Sequence, residues 1–250
     1  MAEADSHYLP VDWPAPANVQ AWQTTRAGGV SEGGYASLNL GANVADSPEN
    51  VAANRARMVA ALNMPAEPAW IRLVHGTRVL SVTGPVQDAE ADAVYTDRPG
   101  LPLFIPTADC LPVLLASQDG QEIAGAHAGW RGLAGGVIEN TVAEFRASPS
   151  RLLAWLGPAI GPAHFEVGED VFRAFVSVHA ENARAFVPAA QPGKYFADIF
   201  ELGRLALHRA GVTAVYGGGV CTYSDERFFS YRRQGSESGR MASLIWIAPR

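Results

Sequence analysis

TADCLPVLLASQDGQEIAGAHAGWRGLAGG, residues 107–136, carries the signals that decide the fold. Apolar runs on either side of the Asp109-Cys110 corner, and a third ending at His127, have the length and turn boundaries of buried strands. A glycine-rich turn follows, and GLAGGVIENTVAEFRA at 132–147 has helical spacing with glycines at its head, which predicts a helix. Strand, turn and helix recur outward from this stretch. On the N-terminal side, 1–17 reads as an irregular lead-in punctuated by prolines, and VQAWQTT at 19–25 as the first strand. A five-glycine loop at 26–44 comes next. In the segment 47–63, Ser47 stands as N-cap and Pro48 at the first helical position of a scaffold helix. Residues 69–82 read as two strand segments meeting at His75-Gly76, and 91–97 as another strand. On the C-terminal side, 151–162 gives a buried strand and turn, 169–186 and 198–211 amphipathic helices, and 228–247 a terminal hairpin. Strands alternating with helices indicate an α+β or mixed α/β protein, here a single domain over 1–250.

The composition narrows the function. With 48% hydrophobic and 18% charged residues among 250, the chain has the means to bury a large core. A net charge of −6 without a basic run argues against nucleic acid or an anionic membrane surface as partner. The two cysteines, Cys110 and Cys221, offer no disulfide framework, and the N-terminal stretch has neither the basic flank nor the apolar segment of a signal peptide. A cytoplasmic protein is expected, and nothing in the sequence calls for an obligate protein partner.

Three residues have the chemistry of metal ligands: His75, Cys110 and His127, spaced 35 and 17 positions apart. A catalytic zinc takes three thiolate or imidazole ligands and keeps a fourth position open, so the trio suits one if the fold gathers three strand ends. The alternative is a small buried core cysteine with two hydrogen-bonded turn histidines. A third possibility is a thiol enzyme with Cys110 as nucleophile and His127 as base. The start of the helix after His127, with Gly135 and Arg131, is a candidate anion cradle. Arg26, Asn39 and Asn43 in the glycine-rich loop, and Arg232, Arg233 and Arg240 near the C-terminus, are substrate contacts or plain structural residues. From the residues alone Arg232 is the favoured contact, and Arg26 and Asn39 read as solvated or turn-stabilising. Asp92 is an acidic position without an evident role.

Six motifs appear in the order of one known family: TTRAGGVSEGGYASLNLG at 24–41, VHGTRV at 74–79, TADCLPVLL at 107–115, HAGWRGLAGG at 127–136, GPAIGP at 157–162 and CTYSDERFFSYRRQGSESGRMASLIWI at 221–247. They resemble the YfiH-like family of laccase-domain proteins, described both as multicopper polyphenol oxidases and as purine nucleoside phosphorylases. The resemblance implies four layers, two mixed central sheets flanked by helices. It also implies one zinc on His75, Cys110 and His127, with copper as a possible substitute, and raises Arg26 and Asn39 to candidate substrate contacts. The implied activity is phosphorolysis of adenosine, inosine and methylthioadenosine, with adenosine deamination, so that a purine nucleoside and phosphate are the expected partners. Two further activities ascribed to the family are removal of a wrong amino acid from a peptidoglycan precursor and oxidation of phenols with copper. Two departures stand out. Leu73 replaces the usual Gln, and Ala163-His164 replace cysteines after GPAIGP, which weakens a sulfur-rich multicopper reading.

Overall fold

The structure, a computed structural model, describes residues 7–249. Its elements in chain order are β1 (Tyr8–Pro10), β2 (Val19–Thr24), α1 (Pro48–Ala61), β3 (Trp70–Arg72), β4 (Val79–Ser81), β5 (Gln87–Glu90), β6 (Ala93–Thr96), β7 (Leu103–Thr107), β8 (Leu111–Ser117) and β9 (Ile123–Ala128). Then come α2 (Trp130–Gly135), α3 (Val137–Ala143), β10 (Leu152–Leu156), β11 (Glu166–Gly168), α4 (Glu169–Val176), β12 (Phe186–Pro188), β13 (Lys194–Ala197), α5 (Ile199–Arg209), β14 (Ala214–Gly217), α6 (Tyr231–Gln234) and β15 (Met241–Ile247).

Two sheets face each other. One is four-stranded and antiparallel, in the order β1-β2-β15-β7; the other has six strands in the order β14-β10-β8-β9-β6-β4, with β14 parallel to β10 and β4 parallel to β6. The mixed character is thus confined to the six-stranded sheet. Alternation along the strands builds the layers, because successive side chains leave opposite faces. In β7, Leu103 and Ile105 enter the core between the sheets, where they meet Leu114 and Ile123, while Phe104 points the other way toward Met58 of α1. In β8, Leu111, Val113 and Leu115 leave the six-stranded sheet on its outer face, against Val137 and Ile138 of α3 and Leu202 and Ala206 of α5. Helix, sheet, sheet and helix give the four expected layers. All seven residues of β8 are buried, which explains its unbroken apolar run. Burying each such side chain contributes about 1.5–3 kcal/mol.

Four local readings change. The helix expected over 132–147 is two short helices, α2 and α3, because Gly136 adopts a left-handed φ of 94° and its N–H caps the carbonyls of Gly132 and Leu133. The amphipathic helix of 169–186 ends at Val176, and a 3-10 segment follows, held where Asn182 Nδ2 donates to the Phe175 carbonyl. The terminal hairpin is absent: Ser230 caps α6, Gly235 turns the chain at φ 70°, and β15 pairs with distant β2 and β7 instead. The irregular lead-in lies outside the described residues over 1–6, and within them Tyr8–Pro10 is a strand paired with β2. The N-cap at Ser47 holds, its oxygen accepting from the Asn50 N–H. Among the described residues no helix is long and apolar enough to cross a membrane.

Candidate metal centre

Strand register assembles the site. Pairing of Leu111 with Ala128 and Pro112 with His127 in the β8–β9 hairpin brings Cys110, just before β8, opposite Gly129. The fit at Gly129 is tight, since a Cβ would lie 3.1 Å from Cys110 Sγ and 3.2 Å from both His127 Cε1 and His75 Cδ2 and would push these side chains by a few tenths of an ångström. Pairing of Ala93 with Ala126 on the other side of β9 brings Asp92, the residue before β6, to His127, and the His127 N–H donates to the Asp92 carbonyl at 2.7 Å. The parallel β4–β6 pair then draws the 74–76 loop over the Asp92 side chain. His75 and Asp109 have left-handed φ values of 58° and 82°. A non-glycine residue holds that conformation only where its surroundings over-determine it.

For His75 the determinant is Asp92. Its fully buried carboxylate accepts the N–H groups of His75 at 2.9 Å, Gly76 at 2.7 Å and Val74 at 3.3 Å, together with His127 Nδ1 at 2.9 Å. This residue, without a role in the sequence reading, orients one ligand by its ring and the other by its backbone. Such carboxylate support is the usual partner of a metal-binding histidine. For Asp109 the determinants are Thr222 Oγ1 at 2.6 Å, Ser230 Oγ at 3.1 Å and the Arg232 N–H at 2.6 Å, all donating to its carboxylate. Asp109 therefore ties the C-terminal segment to the corner and is not a fourth ligand.

The donor atoms of His75, Cys110 and His127 all lie within 4.8 Å of one another. Burial pushes the Cys110 thiol up, but His127 and then His75 outweigh it and bring the thiol down to about 6. Burial likewise opposes charge on His127, and the Cys110 thiolate and Asp92 outweigh it, raising the imidazole to about 9. Burial works against ionisation of Asp92, yet the bonds from His127, Gly76 and Val74 hold its carboxyl below the ordinary value. One thiolate and two imidazoles, one of them backed by a carboxylate, fit a zinc-type ion with an open position. They equally describe a thiolate–imidazolium pair.

The trio lines a cavity of about 800 Å³, within the range of small-ligand sites. Trp130, Ile160, Phe165 and Ile199 supply apolar wall, and Arg55, Asn43, Arg232 and Arg240 polar groups. Arg232 is the one favoured substrate contact among the lining residues. Arg26 bonds the Ala36 carbonyl at 2.8 Å and lies over the Phe229 ring, outside the lining. Asn39 is buried behind the wall, where its Oδ1 accepts the N–H groups of Gly41 and Arg240. The Arg131–Gly135 cradle is not formed on this cavity: Arg131 lies over the Trp130 ring, and Gly135 lines a separate cavity of about 210 Å³. The break at Gly136 makes α2 only six residues long; its Gly132 packs on the Gly76 carbonyl and its Gly135 on Thr77. Arg55 went unseen because its helix reads as scaffold, although a cation on an otherwise core-packed helix face was a usable signal.

A four-layer fold with an open Cys/His₂ site defines the class. The sequence pattern of the multi-copper polyphenol oxidoreductase laccase family matches residues 20–248, and the chain belongs to this YfiH-like, laccase-domain family. It is 52% identical to a purine nucleoside phosphorylase of Pseudomonas aeruginosa over 96% of this chain and 98% of that one. With the purine nucleoside phosphorylase YfiH of Escherichia coli it shares 51% identity, over 94% and 96% of the two chains. The crystal structure of a Neisseria meningitidis protein superposes with a TM-score of 0.91 at 47% identity, covering 97% of this chain and 100% of that one.

Proposed function

We propose that this chain is a zinc-dependent purine nucleoside phosphorylase acting on adenosine, inosine and methylthioadenosine, and that the same site deaminates adenosine. The observation that carries the reading is the open three-donor group of His75, Cys110 and His127 in the wall of a nucleoside-sized cavity. Relatives at about half identity that bear the phosphorylase name support the reaction class. In phosphorolysis the bond from ribose C1′ to purine N9 breaks, a phosphate oxygen takes its place on C1′, and the base leaves with the electron pair and gains a proton. In deamination water adds at C6 and ammonia leaves. Zinc held by the trio supplies positive charge and an acidified water. The chain's own part is to present the ligands through Asp92, to lay the purine against the apolar wall of Trp130, Ile160 and Phe165, and to exclude bulk water there. Inosine and methylthioadenosine fit the same scheme because neither the 6-substituent nor the 5′-group takes part in the C1′ exchange.

The test is zinc content of protein purified without added metal, followed by adenosine turnover with and without phosphate. About one zinc per chain and phosphate-dependent release of adenine are expected; adenosine left unchanged with zinc and phosphate present refutes the proposal.

A second reading draws on the chain Asp92–His127–Cys110, which has the order of a carboxylate–imidazole–thiol triad. In that case the Cys110 thiolate attacks an amide carbon, His127 protonates the leaving amine, and water hydrolyses the thioester. A metal-free, phosphate-independent release of an amino acid from a peptidoglycan precursor is its signature. The trio offers ligands for a single ion, so the chemistry of several coppers draws no support from these residues.

A further inference from the structure

We propose that Arg55 and Arg240 form an oxyanion pocket in the cavity wall that holds the inorganic phosphate of phosphorolysis; the proposal rests on the phosphorylase reading and locates its second substrate. Both residues line the cavity that contains the metal-ligand trio. They come from opposite ends of the sequence and meet at one corner. Arg55 Nε donates to the Leu40 carbonyl at 3.1 Å, and the Leu40 N–H donates to the Arg240 carbonyl at 2.9 Å. Gly41 packs so closely that a Cβ on it would stand 2.5 Å from Arg240 Cγ.

Each guanidinium is fixed on one side and free on the other. Arg240 Nη1 donates to the carbonyls of Ser238 at 2.7 Å and Gly239 at 3.0 Å, and among the described residues its Nε and Nη2 have no protein acceptor. Arg55 lies 4.0 Å over the Trp70 ring, with Nε engaged and both terminal nitrogens without an acceptor. None of these nitrogens is among the enclosed, unpartnered atoms of the described residues, and both side chains line the cavity. Among the described residues neither arginine has a carboxylate within ion-pair distance, whereas Arg72, Arg146 and Arg209 do; Glu67 acts on Arg55, and Cys110 and Asp109 on Arg240, only from farther away. The carboxylates on the cavity wall are already committed. Asp88 pairs with Arg72 at 3.2 Å, and Asp109 accepts from Thr222, Ser230 and the Arg232 N–H. Arg232, although it lines the same cavity, has its guanidinium on the carbonyls of His164 and Glu166.

Two half-buried guanidiniums with unengaged N–H groups and no carboxylate within ion-pair distance match a tetrahedral oxyanion, which guanidinium recognises through paired hydrogen bonds. Burial lowers the pKa of both side chains, the expected signature of cations drawn from water. The N–H groups of Ala42 and Asn43, on the same corner of the wall, have no acceptor among the described residues and are available to the same ligand. Phosphate arrives either as the free ion or as the phosphoryl group of a nucleotide, and the two sources are separable by experiment.

The experiment uses Arg55→Gln, Arg240→Gln and Arg240→Lys in the zinc-loaded enzyme, each checked for native circular dichroism. Steady-state kinetics gives the KM for phosphate and for adenosine separately, and calorimetry follows binding of inorganic phosphate alone and of AMP alone. The expected result is a phosphate KM raised at least tenfold in both Gln variants, with the adenosine KM within twofold of wild type. Inorganic phosphate alone should bind wild type and lose that binding in the Gln variants, with part of it retained in Arg240→Lys. Should Arg240→Gln fail to fold, Arg55→Gln on α1 carries the test. Wild-type phosphate affinity in the folded Gln variants overturns the proposal, as does AMP binding that needs Arg240 while inorganic phosphate does not bind at all. If wild type leaves adenosine untouched but binds phosphate in an Arg55- and Arg240-dependent way, the pocket stands and the phosphorylase reading falls.

Discussion

Asp92→Asn is the most informative single change. The Asp92 carboxylate receives four donors, His75 N–H and His127 Nδ1 on Oδ1, and Gly76 and Val74 N–H on Oδ2. Asparagine keeps one oxygen and puts an NH₂ group in place of the other, so two of the four donors must face a donor. Hydrogen bonds to charged groups contribute about 1.5–3 kcal/mol each. The low end applies because the 74–76 loop is partly exposed and free to relax, and two bonds then cost about 3 kcal/mol. For a chain of this length 1 kcal/mol corresponds to about 2–4 °C in Tm, so the metal-free variant should melt about 6–12 °C below wild type. Losing the support behind two ligands should also weaken zinc about 10–100-fold. Calorimetric melting of metal-free protein and zinc titration against a chromogenic chelator measure the two effects separately. A variant with wild-type zinc affinity would refute the claim that Asp92 positions the ligands, whatever its Tm.

Three further outcomes are expected. Gly129→Ala places a methyl 3.1–3.2 Å from atoms of all three ligand residues on a backbone, φ −60°, that alanine tolerates. Zinc content should fall at least tenfold, while circular dichroism remains native; wild-type zinc content would show that Gly129 is not what keeps the site open. In metal-free protein, iodoacetamide alkylation of Cys110, followed by peptide mass spectrometry, should be fast above pH 6 and slow below it. The sign follows from the depressed thiol, about 6, because the nucleophilic thiolate is lost as pH falls through that value; a midpoint near the ordinary 8.5 of a free cysteine would contradict it. Phe104→Ala removes a side chain with 1% exposure that meets the Trp70 ring edge-on at 4.6 Å and lies beneath Arg55. Urea unfolding should show a loss of about 3–5 kcal/mol.

The sequence made the buried strands legible, while β5, β11, β12, β13 and β14 went unread because they are short and half-exposed or carry no alternation, as in β5, β13 and β14. In β8 and β15 every residue is buried, so the apolar runs alone mark the strands. The ligand trio was legible as residue types at strand ends. Bringing its members together depended on register, which periodicity cannot supply. Once Pro112 is set opposite His127 and Ala93 opposite Ala126, Cys110, Gly129, His127 and Asp92 have no freedom left. Asp92 was missed because an acidic residue before a buried strand looks the same whether it caps a turn or supports a ligand. The terminal hairpin was misread for a related reason: the apolar segment at 241–247 finds its partners in β2 and β7, more than a hundred residues away, and local pattern favours the nearest candidate.

Neither member of the Arg131–Gly135 cradle lines the main cavity. The start of α2 does stand beside the trio, through Gly129 at its N-cap, and a continuous helix would have put a longer dipole behind it. The left-handed Gly136 ends α2 after six residues, too short for a strong dipole, and leaves Gly135 on the other cavity. Positive charge for the main cavity comes instead from α1 and the segment before β15, through Arg55 and Arg240. Both belong to the four-stranded side of the molecule: Arg55 sits over Phe104 of β7, and Arg240 immediately precedes β15. His127 and Cys110 belong to the six-stranded side through the β8–β9 hairpin. The cavity therefore lies where the two halves of the fold meet, with the ligand trio contributed by one and the unpaired cations by the other. A perturbation that shifts one sheet against the other should change the distance between trio and arginines without altering either set. Enlarging Ala116 or Ile105 in the shared core should thus reduce turnover while leaving zinc and phosphate affinities near wild type, and a parallel loss of both affinities would show that the two sets are not independently held.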